Sequence, residues 1–535
     1  MKKFLLIIIL HLIAVVFTFA QDVNVIPYPT SVKKLSGSLR LNHNVIFHNP
    51  KPAFAGIISY INSHLNKNNA HLDKEQAGKK NAVYLSMVIS RSLSPKFDYM
   101  LNTTGRFITI TSRNDEGLFH GMITLLQMIQ TGDNVSEGIV LPHVVISDQS
   151  RFAWRGFMLD ESRHFFGKAE VEKLLDWMAY YKFNRFHWHL TDVDGWRIEI
   201  KQYPLLTSAN GNNDSLKISS SKQYYTQEEI KDIVKYATDR HITIIPEIDM
   251  PGHATAAVQA YPELSGGKVE GYEDFTFNPG KETTYTFLTN VLKEVVSLFP
   301  SRMVHTGGDE VAFGIKAWEN NSDVAALMRK EHLPNIQEVE RYFTRRMADS
   351  LATFSKRIVC WDEAVQTGLD NKRTMINWWR HNKPQALSDA ITAGYKVVLC
   401  PRLPLYFDFV QDSTHLSGRR WDGKFCSAWD VYHFPESSPD SKLFQTPNII
   451  GLQGNLWTET VISVKRLHYL IFPRLAALAE ASWTPAVQKD EKSFKQRLLT
   501  HLSVYEQYGV YYYDPYSPKH HPEPIDVIPV VAKPD

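Results

Sequence analysis

The run Arg302-Met-Val-His-Thr-Gly-Gly-Asp-Glu-Val-Ala-Phe313 gathers residues able to do acid–base chemistry. A short apolar stretch ends in Gly307 and Gly308 and meets two adjacent carboxylates, Asp309 and Glu310. On a regular strand neighbouring side chains point to opposite faces, so two adjacent acids cannot share one pocket. Glycine tolerates backbone angles that other residues avoid, and the Gly-Gly break frees both acids to turn toward one ligand. Two carboxylates held close do not both ionise freely, and one keeps its proton to higher pH. A resting acid beside a resting base is a starting point for glycoside and acyl chemistry. Taken alone, the run reads equally well as a solvated turn with two surface acids, so the surrounding elements decide.

Those elements alternate from Arg151 onward. Short apolar strands are predicted at 156–159, 185–190, 242–248, 303–306, 357–361, 374–378, 396–399 and 449–454. Amphipathic helices fall between them, among them 168–181, 227–240 with Thr226 as its N-cap, and 283–299. Eight such alternations predict a (β/α)8 TIM barrel, the catalytic domain, over residues 151–510. An open doubly wound sheet is the alternative, but no Gly-rich nucleotide turn follows the first strand. The chemically unusual residues sit where the predicted strands end. Asp160 and Arg163 follow the first strand, Asp192 the second, and Glu247, Asp249 and His253 the third. Asp309 and Glu310 follow the fourth, Trp361, Trp379, Tyr406 and Asp408 the fifth to seventh, and Trp457 and Glu459 the eighth. Barrel active sites lie at the C-terminal ends of the strands.

Residues 21–150 predict a smaller α/β accessory domain of sheet plus helices, which holds no catalytic constellation. Its strands are expected at 23–29, 39–47, 83–89, 99–104, 106–111 and within 142–150, its helices at 53–66 and 116–130, with Gly105 in a hairpin turn. A helix at 492–508 closes the barrel, and 511–535 forms a Pro- and His-rich C-terminal tail.

Composition narrows the class of protein. With 43% hydrophobic and 12% aromatic residues, the 535-residue chain has material for large cores, and a net charge of +2 gives no reason to expect nucleic acid or an anionic surface as partner. Lys2 and Lys3, the apolar run Phe4–Phe19 and Ala20 read as a signal peptide over residues 1–20. The run is short for a membrane span of about 20 residues, so export is expected, to the periplasm or beyond, with no stable span after cleavage. A retained anchor stays open as the alternative. Three cysteines give no disulfide framework, and Cys360 and Cys400 end apolar runs, as buried thiols do.

His187 and His189 share one strand face, and with His253 and Asp309 they invite a metal-hydrolase reading. The alternative, which carries more weight, is barrel-interior histidines bonded to carboxylates, so no metal and no cofactor is expected. Trp361, Trp379 and Trp457 at three strand ends, beside Tyr406, read as aromatic walls. Sugar rings present apolar C–H faces between polar rims, and Arg163, Asp408 and Glu459 supply a rim of charged hydrogen-bonding groups.

Six motifs then carry a resemblance. They are Arg155-Gly-Phe-Met-Leu-Asp-Glu-Ser-Arg-His-Phe-Phe166, Phe186-His-Trp-His-Leu-Thr-Asp192, Pro246-Glu-Ile-Asp-Met-Pro-Gly-His253, the His305–Glu310 run, Tyr406-Phe-Asp408, and Gly454-Asn-Leu-Trp-Thr-Glu459. In order and spacing the chain resembles the family 20 glycoside hydrolases, the β-N-acetylhexosaminidases. The resemblance implies Glu310 as general acid and Asp309 as holder of the substrate's acetamido N–H, with the acetamido oxygen as nucleophile. An ionised Asp309 is expected to help keep Glu310 protonated. It further implies Tyr406 on the acetamido oxygen and Trp361, Trp379 and Trp457 around the sugar. Arg163 and Glu459 would take hydroxyls 3 and 4, Asp408 hydroxyl 6, and Asp192 with His253 would orient the acid. Trp379 is preferred to its neighbour Trp378 because it precedes Arg380, as in the family's Trp-Arg pattern. The implied partner is a glycan or oligosaccharide ending in an N-acetylhexosamine. A disaccharide-releasing or sulfated-sugar-specific relative, a metal-dependent hydrolase and a non-catalytic glycan-binding protein are the rival readings. Oligomeric state, a homodimer included, stays open.

Overall fold

The computed structural model describes residues 23–524 apart from 42–43, 48–53, 66–70, 75–81, 136–137, 209–221 and 421–422. The predicted signal peptide, most of the loop at 208–223 and the last part of the tail therefore lie outside the described residues. The first unit is a sheet with two helices against it. Its strands are β1 (Ser31–Leu41), β2 (Asn44–Phe47), β3 (His71–Lys74), β4 (Val83–Ile89), β5 (Tyr99–Thr104), β6 (Phe107–Ser112), β7 (Asp133–Val135) and β8 (Gly138–Asp148). They lie in the order β1-β8-β5-β6-β4-β2-β3, with β7 on β8. Helices α1 (Ala55–Leu65) and α2 (Asp115–Gln130) cover it, and the Asn114 side chain accepts from Gly117 N at 2.9 Å to cap α2. Gly105 turns the β5–β6 hairpin at φ 60°.

Two expectations for this unit are corrected. Residues 23–29 form no strand, because Pro27 and Pro29 offer no N–H to a ladder. Side chains satisfy this backbone instead: Ile26 N donates to Gln127 Oε1 at 2.8 Å and Tyr28 N to Glu480 Oε2 at 2.8 Å. The strand expected at 39–47 is two strands with different partners, β1 on β8 and β2 between β3 and β4.

The second unit is a closed parallel barrel of β9 (Trp154–Asp160), β10 (Arg185–His189), β11 (Thr243–Glu247), β12 (Met303–His305), β13 (Arg357–Trp361), β14 (Thr374–Trp378), β15 (Lys396–Leu399) and β16 (Ile449–Leu456). The predicted TIM barrel with its preceding α/β domain is thus the observed fold. Every residue of β9 is buried, as expected of a barrel strand enclosed on both faces. Helix α3 (Lys168–Tyr180) follows β9, and the helix Gln227–Thr238 starts with a full Thr226–Glu229 capping box. Asp148, at the end of β8, fastens the sheet to the barrel. It accepts from Tyr99 Oη at 2.6 Å, Lys182 Nζ at 3.2 Å, Trp483 Nε1 at 3.0 Å and Thr30 N at 2.9 Å.

Candidate active site

Backbone geometry at the end of β12 settles how two adjacent acids reach one cleft. Gly307 stands at φ 64°, Gly308 at φ 91° and Glu310 itself at φ 53°, all left-handed. A Cβ on Gly307 would stand 1.8 Å from Asp249 Oδ1, so only glycine fits there. The same Asp249 oxygen accepts from Gly308 N at 3.3 Å and helps hold the turn. A non-glycine residue in the left-handed region is strained, and such strain collects at functional sites. His253, at the end of the loop after β11, is likewise left-handed at φ 52°.

Asp309 and Glu310 meet at His253, whose Nε2 lies 3.7 Å from Asp309 Oδ2 and 3.6 Å from Glu310 Oε2. The other nitrogen, Nδ1, faces Asp192 Oδ1 at 2.9 Å. Asp192 Oδ2 in turn contacts His189 Nε2 at 2.8 Å and Arg163 Nη2 at 2.8 Å. His189 Nδ1 reaches Glu247 Oε2 at 2.5 Å. Carboxylate and imidazole therefore alternate along one line of contacts from Glu247 to the acid pair, and the electrostatics follow that order. Burial alone would raise Asp192, but Arg163, His253 and His189 outweigh it and hold its carboxyl well below the usual range. Burial alone would discharge His253, but Asp192 and then Asp309 lift it to about 9. His253 is therefore a cation at neutral pH, facing both acids.

Asp309 stands in one cluster with Asp249 and His253. Burial and the neighbouring Asp249 push its carboxyl well above the ordinary range, with His253 opposing. Its Oδ1 is buried with no hydrogen-bond partner among the described residues, an acceptor held in reserve.

Aromatic rings wall the same space. Trp379 stacks near Tyr406 with centroids 6.3 Å apart and planes 12° off parallel, and Trp457 lies 6.2 Å from Tyr406. Trp379 is fixed by its Nε1 donating to Glu363 Oε2 at 3.0 Å, whereas Trp378 turns away onto Phe444. Burial pushes the Tyr406 phenol well up, so it stays a donor at working pH. Arg163, His253, Asp309, Glu310, Trp379, Tyr406, Trp457 and Glu459 line a cleft of about 90 Å³ together with Arg402 and Arg419.

Three predicted residues stand behind that lining. Asp192 supports His253, as above. Trp361, 1% exposed, packs 6.0 Å from Trp457 and donates through Nε1 to Glu247 Oε1 at 2.9 Å. Asp408, also 1% exposed, lies 3.5 Å from Arg419 Nε, and burial raises it to about 7 against the pull of that arginine. The sequence reading missed Arg419, Arg402 and Glu363, which nothing local marks as pocket residues. A larger cleft of about 730 Å³ opens between the N-terminal ends of β9–β12 and α2, but it holds none of these groups.

The histidines of β10 fall in separate buried clusters, His187 with Glu247 and His305 and His189 with Asp192 and Asp249, while His253 groups with Asp249 and Asp309. His189 engages Glu247 and Asp192 through its two nitrogens, and His187 receives Gln453 Nε2 at 3.0 Å on Nδ1 and lies 2.9 Å from Glu247 through Nε2. The three cysteines are free and buried, and burial raises Cys360 to about 12, which makes it a poor ligand or nucleophile.

If cationic His253 orients the acid pair, Asp192→Asn has a readable consequence. The amide removes the anion that lifts His253, so the imidazole discharges at lower pH. The alkaline limb of kcat/KM is expected to move down by about one pH unit or more. An unmoved limb would remove His253 from the pH dependence.

An eight-stranded barrel with acids, arginines and aromatic walls at its strand ends is a scaffold whose rim suits a polar, ring-shaped ligand. The comparisons identify which one. The glycosyl hydrolase family 20 catalytic-domain model matches residues 152–486 and the family's domain 2 model matches 22–149, and the chain belongs to glycoside hydrolase family 20. A Porphyromonas gingivalis β-hexosaminidase is 35% identical over 447 residues, covering 81% of this chain and 57% of its own. A Vibrio furnissii β-hexosaminidase is 37% identical, covering 71% of this chain and 64% of its own. The chain thus spans less than two thirds of the length of these two relatives. A Vibrio harveyi family 20 exo-β-N-acetylglucosaminidase, solved with N-acetylglucosamine, aligns at TM-score 0.81 and 31% identity over 92% of this chain and 79% of that one.

Proposed function

We propose that the chain is an exo-acting β-N-acetylhexosaminidase. It would release terminal β-linked GlcNAc or GalNAc from glycans or chitooligosaccharides, with retention, by using the substrate's own 2-acetamido group as nucleophile. One observation carries this reading: Asp309 and Glu310 both approach a single nitrogen, His253 Nε2, at 3.7 and 3.6 Å. Such a pair offers a single cleft one acid and one further carboxylate. In the usual retaining scheme the second carboxylate attacks C1, whereas here the acetamido oxygen takes that part and leaves Asp309 to the acetamido N–H.

The roles follow from this placement. Glu310 gives its proton to the glycosidic oxygen as the C1–O bond breaks. The acetamido carbonyl oxygen forms the new bond to C1, giving a cyclic oxazolinium ion. Asp309, whose Oδ1 lacks a partner, accepts the acetamido N–H and stabilises the charge that develops on nitrogen. Tyr406 donates to the acetamido oxygen, and Trp379 and Trp457 pack the sugar's apolar faces, with Trp361 behind them. Water then attacks C1, Glu310 takes its proton, and the acetamide is restored. Arg163 and Glu459 hold hydroxyls 3 and 4, and Asp408 holds hydroxyl 6. The Arg419–Glu459 pair, at 2.7 Å, lines the same cleft.

The composition of residues 1–20 supports an exported enzyme, and among the described residues no helix is long and apolar enough to cross a membrane. Turnover of an aryl β-GlcNAc substrate followed by NMR tests the reading. The β-anomer is expected to appear first, and initial release of the α-anomer would overturn retention.

A further inference from the structure

Arg419 reaches the cleft from a loop that the C-terminal segment pins down. Its Nη2 donates to Glu459 Oε1 at 2.7 Å and its Nε lies 3.5 Å from Asp408 Oδ2. One guanidinium thus bridges the two carboxylates that face hydroxyls 4 and 6 in the proposed function. A planar fork holds two acceptors in fixed relation better than a flexible ammonium does.

The loop owes its shape to a residue far along the chain. Glu523 accepts from Leu416 N at 2.5 Å and from Ser417 N at 3.2 Å, and pairs with Arg466 Nη1 at 2.6 Å. Arg466 is fully buried and returns a bond from Nη2 to Ser417 O at 2.7 Å. At the loop's start, Gln411 Nε2 donates to Tyr469 O at 2.6 Å, and Arg420 at its end donates to His415 O. Between the pinned Ser417 and Arg419 stands Gly418 at φ 113°, where a Cβ would come within 2.8 Å of Val410 and 3.0 Å of Arg466. The turn that aims Arg419 is therefore fixed from both sides. Leu416, 92% exposed, contributes little burial of its own, so these polar bonds hold the loop tip.

We propose that Arg419 is a specificity-determining residue for the C4–C6 edge of the terminal sugar and that Glu523, with Arg466, is the positioning residue that sets it there. The inference rests on the proposed function for what Arg419 reads, but not for the latch itself. Glu523 touches no substrate; it acts through the Leu416–Ser417 backbone.

The full-length protein and its Arg419→Ala, Glu523→Ala and double variants test both halves. Hydrogen exchange at Leu416 and Ser417 is read first. Faster exchange in Glu523→Ala is expected, and unchanged exchange would overturn the latch whatever the enzyme acts on. Kinetics with aryl β-GlcNAc and its C4 epimer, aryl β-GalNAc, then follow. Loss of a charge-assisted contact predicts a KM for the GlcNAc substrate at least about tenfold higher in Arg419→Ala, a smaller change in kcat, and an altered GlcNAc-to-GalNAc ratio. Glu523→Ala is expected to move the same quantities in the same direction by less, and the double variant to match Arg419→Ala. Multiplying effects, or a Glu523→Ala protein with lower Tm but wild-type KM and ratio, would overturn the coupling. If wild-type protein turns over neither glycoside, the proposed function fails, while the exchange result still decides the latch.

Discussion

Replacing Glu310 by Gln is expected to lower kcat on oligosaccharide substrates by about 10²–10⁴-fold, the range a positioned general acid contributes. The amide keeps the left-handed turn and the size of the side chain but has no proton to give. The loss should depend on what leaves. A sugar alkoxide needs protonation as the bond breaks, whereas an activated aryl oxide departs without it, so the deficit shrinks along a series of increasingly acidic phenols. Some deficit should persist even there, because Glu310 also takes the proton from water in the second step. A uniform loss across the series would mean that Glu310 does not act on the leaving oxygen.

Asp309→Asn should cost about 10²–10³-fold in kcat, and the loss should be the same for every leaving group. Asp309 works on the acetamido nitrogen and never on the departing oxygen. Asn presents a donor or a neutral carbonyl where the site presents a buried, unpartnered oxygen next to cationic His253. It can hold an N–H but cannot balance the positive charge of the oxazolinium ion. The two acids are neighbours in sequence, yet their variants should differ in leaving-group dependence. That contrast separates their roles better than either loss alone.

Much of this architecture is legible in the chain. Strands β13, β14 and β15 fall on the residues their apolar runs mark, because short runs between turn signals leave little freedom in a closed barrel. The acids, tryptophans and tyrosine at the strand ends are legible for the same reason: a barrel brings successive strand ends to one rim. What sequence hides is pairing at long range. Arg419 is one of two adjacent arginines in an irregular loop, and its bridge to Asp408 and Glu459 depends on Glu523, more than a hundred residues on. The raised carboxyl of Asp309 is hidden too, since Asp249 reaches it only through the fold. The segment at 23–29 misleads because its apolar residues look like a strand, while its prolines hand the backbone to Gln127 and Glu480.

The central claim is that the substrate supplies the nucleophile, and one comparison tests it directly: kcat/KM on an aryl 2-acetamido-2-deoxy-β-glucoside against the aryl β-glucoside with a 2-hydroxyl. An internal nucleophile held in place predicts a preference for the acetamido sugar of at least about a thousandfold, expressed mainly in kcat. Equal rates on the two glycosides would contradict the account.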